Sequence, residues 1–334
     1  MSIAETMEKW AREFVDRYAA IREQIGRVIV GHDEIVHGVL TCLFVGGHCL
    51  LEGVPGLGKT LLVRTLAKTL DLDFSRIQFT PDLMPADILG TNMVMEAPDG
   101  RRSFEFQQGP IFTQVCLADE INRATPKTQS AMLETMQEGT VTVAGTRYEL
   151  KQPFLVMATQ NPIEQEGTYP LPEAQLDRFF FKLLVGYSDR EELSTIIDRT
   201  TRSELVEPDK VMDGSEIIRW QGLVREVILA KHVQNYIVRL VLASHPEGAL
   251  ALPVTNQYVR WGASPRAAQT LALAAKVRAL LDSRYNVSFE DVRRVYLPSM
   301  RHRIIVNFEA QAEGIEPDKV LLDLLEQVPE KEEM

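Results

Sequence analysis

Gly53-Val54-Pro55-Gly56-Leu57-Gly58-Lys59-Thr60 is the stretch that decides how this chain folds. It fits G-x-x-x-x-G-K-[ST], the spacing of a phosphate-binding loop. Each residue type has its own reason to be there. Glycines let the backbone turn tightly and bring N–H groups close to phosphate oxygens. Lys59 supplies a point charge for the β- and γ-phosphates, and Thr60 offers a hydroxyl to Mg²⁺. The flanks carry as much weight as the match. His48-Cys49-Leu50-Leu51-Glu52 before the loop reads as a short apolar strand. From about Thr60 to Leu70, beginning with Leu61 against the loop, the chain reads as a helix with Leu62, Leu66 and Leu70 on one face. Such a helix turns its N-terminus toward the bound anion. A glycine-rich turn with a chance lysine would not need this strand–loop–helix setting.

The 334 residues are enough for two domains with ample core. Apolar content of 45% and charged content of 25% fit a globular protein. The net charge of −11, from 36 basic and 47 acidic residues, argues against a nonspecific grip on nucleic acid or on an anionic membrane. Cys42, Cys49 and Cys116 have neither zinc nor redox spacing. They read as small buried thiols in a reducing cytosol, so a cytoplasmic location is expected. The polar, acidic start Met1-Ser2-Ile3-Ala4-Glu5 does not read as a secretory leader. No apolar run approaches the roughly 18 residues of a membrane span.

Along the chain, residues 5–26 read as an amphipathic helix with Trp10, Phe14, Tyr18 and Ile21 on its packing face. A second helix runs from about Asp33 to Gly46. Asn92 to Glu96 and Ser103 to Phe106 read as a small hairpin turning at Pro98-Asp99-Gly100. Val115-Cys116-Leu117-Ala118-Asp119-Glu120 is an apolar run closed by two acids, a strand covered on both faces as in a parallel sheet. A helix over 126–138 and a hairpin over about 139–150, turning at Ala144-Gly145, lead to another buried strand, Phe154 to Thr159. Phe179 to Val185 is the last core strand. Beyond about Tyr187 no strand is expected, only helices separated at Glu207-Pro208-Asp209, His245-Pro246-Glu247-Gly248 and Leu297-Pro298. Ser264-Pro265 reads as a helix start and Ser288-Phe289-Glu290-Asp291 as a capping box. The tail from Glu330 to Met334 reads as frayed. The expected architecture is therefore α/β: a five-stranded, mainly parallel sheet between helices over 1–187, then an all-helical domain over 188–334.

Phosphoryl transfer to water needs charge stabilisation and a placed nucleophile more than covalent chemistry. Asp119 closes a strand where a Mg²⁺ partner is needed, and Glu120 could polarise the attacking water. A solvated strand end is the alternative for both. Asn161 ends the strand expected beside that of Asp119, where its amide could hold the water or the γ-phosphate. The alternative is a turn asparagine before Pro162. Arg178 sits in Leu176-Asp177-Arg178-Phe179, just before the last core strand. It could instead pair internally with Asp177 or Glu173. Arg266 lies in the first turn of a helix, where a basic side chain opposes the helix dipole and hints at an anionic partner. Arg147 and Tyr148, on the second hairpin, could touch a substrate or be exposed turn residues.

Taken together and in order, the phosphate loop, Leu117-Ala118-Asp119-Glu120-Ile121-Asn122-Arg123-Ala124, Ala158-Thr159-Gln160-Asn161-Pro162, Leu176-Asp177-Arg178-Phe179 and Gly262-Ala263-Ser264-Pro265-Arg266 resemble AAA+ ATPases. Over residues 20–315, including Asp82 to Gly90 and Arg301-His302-Arg303-Ile304, the pattern resembles the MoxR family in particular. The resemblance implies ATP and Mg²⁺ as cofactors, with Thr60 and Asp119 on the metal. It implies a Walker A role for Gly53, Val54, Pro55, Gly56, Leu57, Gly58, Lys59 and Thr60, and a Walker B role for Asp119 and Glu120. Asn161 would be sensor 1, Arg178 an arginine finger acting on a neighbour, and Arg266 a sensor 2 acting in cis from the helical lid. Residues 92–106 would be the helix-2 insert and 139–150 the hairpin before sensor 1. Val28 to His32, with Val30 and Gly31, match the place where such ATPases hold adenine, and Leu61 completes the nucleotide contacts. The implied assembly is a homo-oligomeric ring, most often a hexamer. The implied task is chaperone-like assembly, activation or metal insertion, with a partner bearing a von Willebrand factor A domain. A chelatase-type motor subunit, a DNA-acting remodeller and a nucleotide-gated switch with little turnover are the competing classes.

Overall fold

The computed structural model describes residues 3–96, 102–162, 167–201 and 206–331. Two helices open the chain, α1 (Ile3–Val28) and α2 (Asp33–Val45). Strand β1 (Cys49–Glu52) leads through the phosphate loop into α3 (Lys59–Thr69). Then come β2 (Phe74–Gln78), the short α4 (Pro85–Leu89), and the hairpin β3 (Gly90–Glu96) and β4 (Arg102–Gln108). Strand β5 (Val115–Asp119) is followed by α5 (Pro126–Glu138), a second hairpin of β6 (Thr140–Val143) and β7 (Thr146–Glu149), and β8 (Leu155–Gln160). The short α6 (Glu173–Leu176) and β9 (Phe181–Leu184) complete this part. The first hairpin pairs Gly90 with Gln108, so it is longer than the 92–106 span expected. Its expected turn at Pro98-Asp99-Gly100 lies outside the described residues.

The central sheet has five strands in the order β2-β5-β8-β1-β9, and every pair is parallel. Strand alternation divides the core in two. Cys49, Leu51, Val115, Leu117, Leu155 and Met157 face one apolar cluster with α1, α2 and α3. Leu50, Cys116, Ala118, Val156 and Ala158 face the other, which holds Met132, Leu133 and Met136 of α5. Both faces are covered, which explains the unbroken apolar runs. Cys42, Cys49 and Cys116 are all buried and free.

After β9 the chain is largely helical: α7 (Arg190–Thr200), α8 (Gly214–Glu226), α9 (Lys231–Ala243) and α10 (Pro253–Tyr258). A three-residue strand β10 (Val259–Trp261) then precedes α11 (Pro265–Leu281) and α12 (Phe289–Met300). Strand β11 (Ile305–Val306), α13 (Phe308–Ala312) and α14 (Pro317–Gln327) follow. The β10–β11 antiparallel pair was not foreseen, because strands this short carry no readable period. Pro298 was expected to separate helices, yet it lies inside α12. It falls in the last turn, where few residues remain to be disrupted. The expected caps form as read: Ser264 accepts from the Arg266 N–H, and Ser288 and Asp291 make a capping box. Trp220 of α8 packs edge-on against Phe14, with ring centroids 5.5 Å apart, and Phe14 against Phe44 at 5.0 Å. The first helices thus join the sheet and the following helices into one apolar cluster. Among the described residues, no helix is long and apolar enough to cross a membrane. The frayed end was read over 330–334, and its residues 332–334 lie outside the described residues.

Candidate active site

Because the sheet strands are parallel, β1, β2, β5 and β8 all end at one edge, the place where ligands bind in open α/β sheets. The phosphate loop crosses this edge between β1 and α3. Gly53 must be glycine, since a Cβ there would come within 2.6 Å of the Val185 carbonyl oxygen. Gly56 and Gly58 take positive φ, 86° and 76°, which admits no ordinary side chain without strain. Lys59 folds back over the loop, its Nζ donating to the carbonyls of Gly53 at 2.5 Å and Val54 at 3.1 Å. Burial lowers its pKa, while Asp119 and Glu120 oppose the shift. Burial and the two carboxylates thus act on the cation in opposite directions, and burial is the larger effect.

Asp119 ends β5 level with Gln78 of β2. Its carboxylate accepts from the Thr159 hydroxyl at 2.6 Å and from Arg76 Nη2 at 2.7 Å. Glu120 leaves the strand with φ of 57°, a conformation that costs a non-glycine residue energy and recurs at active sites. Its N–H donates to Thr159 Oγ1 at 2.8 Å. Its carboxylate accepts from Gln78 Nε2 at 2.8 Å and Arg123 Nη1 at 3.0 Å. Residues 55–61, Asp119, Glu120, Thr159, Asn161 and Arg76 enclose a cavity of about 420 Å³. Asn161 is almost fully buried at its wall. A second, mostly apolar cavity of about 300 Å³ adjoins it across Gly56, Gly58, Lys59 and Leu61, and Val28, Ile29, Val30 and His32 form its wall. Gly31 takes a φ of 69°, a conformation that strains any residue other than glycine.

The sequence-predicted residues thus divide. Lys59, Thr60, Asp119, Glu120 and Asn161 converge on one cavity, while Arg178 and Arg266 line neither. Arg266 Nη1 donates to Asp177 Oδ2 at 3.3 Å. The half-buried Arg178 forms no side-chain hydrogen bond or ion pair among the described residues, and Asp177 is taken by Ser264, Arg266 and Arg303. Arg147 is exposed, but the Tyr148 ring stacks on Phe106 of the first hairpin, centroids 4.2 Å apart. Arg76, Gln78, Arg123 and Thr159 were not anticipated as site residues. The i, i+2 spacing of Arg76 and Gln78 puts both on one face of β2, but only the sheet order shows that this face meets Asp119 and Glu120.

Comparison with known proteins agrees with this geometry. Residues 48–181 match the ATPase family associated with various cellular activities (AAA), and residues 253–324 match the AAA lid domain. The chain is 43% identical to Chaperone MoxR1 of Mycobacterium tuberculosis, over 91% of this chain and 80% of that one. It is 30% identical to Protein MoxR of Methylorubrum extorquens, over 91% of this chain and 93% of that one. A crystal structure from Cytophaga hutchinsonii superposes with a TM-score of 0.89 at 40% identity, covering 98% of this chain and 97% of that one. The sheet order, the two adjoining cavities, the lid and these likenesses all lead to one assignment: the chain belongs to the MoxR family of AAA+ ATPases.

Proposed function

We propose that the protein hydrolyses ATP with Mg²⁺ in a ring, and that each site is completed by the neighbouring subunit. The observation that carries this reading is the separation of the arginines from the cavity. Lys59, Thr60, Asp119, Glu120 and Asn161 line one space, while Arg178 stands outside it without an ion-pair partner among the described residues. The internal pairing of Arg178 with Asp177 loses support, because that carboxylate is already bound to Ser264, Arg266 and Arg303.

The residues present fit the metal and the nucleotide. Thr60 and Asp119 are hard oxygen donors of the kind Mg²⁺ takes, and the positive-φ glycines make the cradle that phosphates need. Mg²⁺, when bound, neutralises charge on the β- and γ-phosphate oxygens. The loop N–H groups and Lys59 hold the phosphates. Glu120 takes up the proton of the attacking water at its carboxylate, oriented by Gln78 and Arg123, and Asn161 positions that water or the γ-phosphate. Arg178 acts on the neighbour's γ-phosphate, a contribution that reaches ~10³–10⁵ in rate for arginines supplied in trans. Arg266 was expected to act in cis. Its bond to Asp177, beside the finger, supports grouping it with Arg178 instead. The proposed division at residue 187, between the nucleotide core and the lid, would fall in the connection between β9 and α7.

The work done by turnover is chaperone-like assembly, activation or metal insertion in partner complexes, with a partner bearing a von Willebrand factor A domain. Likeness to a relative named a chaperone supports the first part. The β3–β4 hairpin adds a surface for it, with Met93, Val94 and Met95 about half exposed and Phe104 78% exposed. The test is a mixing experiment read by phosphate release. Lys59→Ala chains bind nucleotide poorly but keep Arg178, and Arg178→Ala chains bind nucleotide but lack the finger. The mixture recovers activity that neither component has, and wild-type specific activity falls on dilution. A mixture as inactive as its parts would refute the shared site.

A further inference from the structure

Arg303 is a guanidinium buried to 7% exposure. Burial pulls its pKa down to about 10 against the pull of Asp177. Its contacts converge on one short segment. Nε donates to Asp177 Oδ1 at 3.0 Å, Nη2 to the Asp177 carbonyl at 3.3 Å and the Phe179 carbonyl at 2.6 Å, and Nη1 to the Phe180 carbonyl at 3.1 Å. Nη1 also reaches the Ser299 carbonyl at the end of α12. The neighbouring lid residue acts on the same segment: His302 Nε2 donates to the Phe179 carbonyl at 3.0 Å. Burial depresses the pKa of His302 well below the ordinary value, so the ring is neutral and the Nε2–H tautomer makes this bond. Arg178 lies between the residues so gripped.

The other side of Asp177 is held as well. Ser264 Oγ donates to both carboxylate oxygens at 2.9 Å, and Arg266 donates at 3.3 Å. The loop bearing Ser264 is itself fixed. The Ala263 N–H donates to Ser244 Oγ at 3.0 Å, and a Cβ on Gly262 would come within 2.6 Å of the Ser244 carbonyl oxygen. Asp177 is therefore a carboxylate through which the segment carrying Arg178, the helix start carrying Arg266 and the lid residue Arg303 are joined. A planar fork with five N–H donors in fixed directions can tie a carboxylate and several carbonyls at once, whereas an ammonium has only three donors on a flexible stem.

We propose that Arg303 and Asp177 are positioning residues that hold Arg178 and Arg266 as one unit toward the neighbouring subunit. The proposal rests on the shared-site reading above. It makes a directional prediction. Loss of the clamp harms a subunit as a donor of the finger and leaves it sound as an acceptor of its neighbour's finger.

Phosphate release from mixed rings tests this. The baseline is Lys59→Ala chains, which donate, mixed with Arg178→Ala chains, which accept. Asp177→Asn keeps the shape and removes the charge. Placed in the Lys59→Ala donor, it is expected to cut recovered activity about tenfold to 100-fold, the loss that an ångström-scale misplacement brings. Placed in the Arg178→Ala acceptor, it is expected to leave recovery unchanged. Arg303→Lys should repeat the donor loss, and if it does not fold the Asp177→Asn arms decide alone. A baseline that fails to recover overturns the shared site and the clamp with it. A sound baseline with donor and acceptor arms equally affected, or with neither affected, overturns the clamp only.

Discussion

Thr159 Oγ1 donates to Asp119 Oδ1 at 2.6 Å and accepts from the Glu120 N–H at 2.8 Å, so one hydroxyl on β8 sets both the last residue of β5 and the acid that follows it. Thr159 is 1% exposed, so water cannot replace it. Thr159→Val keeps the shape and removes both bonds. It is expected to cost about 1–3 kcal/mol in urea unfolding, the penalty of a buried donor left unmade. ATP turnover should fall while nucleotide affinity stays within a few-fold. Unchanged stability and turnover would show that the acids are set by something else.

Lys59→Ala separates binding from folding. Without nucleotide, the Lys59 cation pairs only with loop carbonyls and is penalised by burial. Its removal should leave the unfolding midpoint unchanged or slightly raised. Titration with a fluorescent ATP analogue should show affinity weakened about 10–100-fold, the worth of charged hydrogen bonds to phosphate.

The two hairpins should prove coupled. Phe106 stacks on Tyr148 at 4.2 Å with planes 24° apart, and Phe112 meets both edge-on. A double-mutant cycle with Phe106→Leu and Tyr148→Leu is expected to give a coupling of about 0.5–1.5 kcal/mol. Additive effects would mean that the hairpins move independently.

Acid should weaken the fold. Burial lowers the pKa of His48 to about 4, and the ring bridges the Met136 carbonyl and the Val156 N–H. The folded value lies below the unfolded one. Stability from this site is therefore full above about 6.5 and is lost as pH falls toward 4, because only the unfolded chain takes up the proton. The loss is on the order of 3 kcal/mol for His48, and His302 adds to it in the same direction. Urea midpoints at pH 7 and pH 5 should differ, and His48→Gln should shrink the difference. An equal pH dependence in that variant would remove His48 from the account.

The sequence made the phosphate loop, Asp119, Glu120 and Asn161 readable because each sits where an apolar strand ends, a local signal. Arg76 and Gln78 were not readable, since their meaning depends on β2 lying next to β5. The Asp177–Arg303 bond joins positions 126 residues apart, beyond any local period. Pro298 misled in the other direction: a breaker in isolation, it lies inside the last turn of α12. The fold class and the five-stranded sheet were legible because burial on both faces leaves unbroken apolar runs.

The central claim is ATP hydrolysis driven by Glu120, whose carboxylate Gln78 and Arg123 hold at 2.8 and 3.0 Å beside the phosphate cavity. Glu120→Gln removes the acid and keeps the shape. The most direct measurement is steady-state phosphate release by this variant in Mg²⁺, paired with ATP affinity. General-base loss predicts turnover down by about 10²–10⁴-fold with ATP still bound as tightly as by the wild type. Hydrolysis at the wild-type rate would contradict the account.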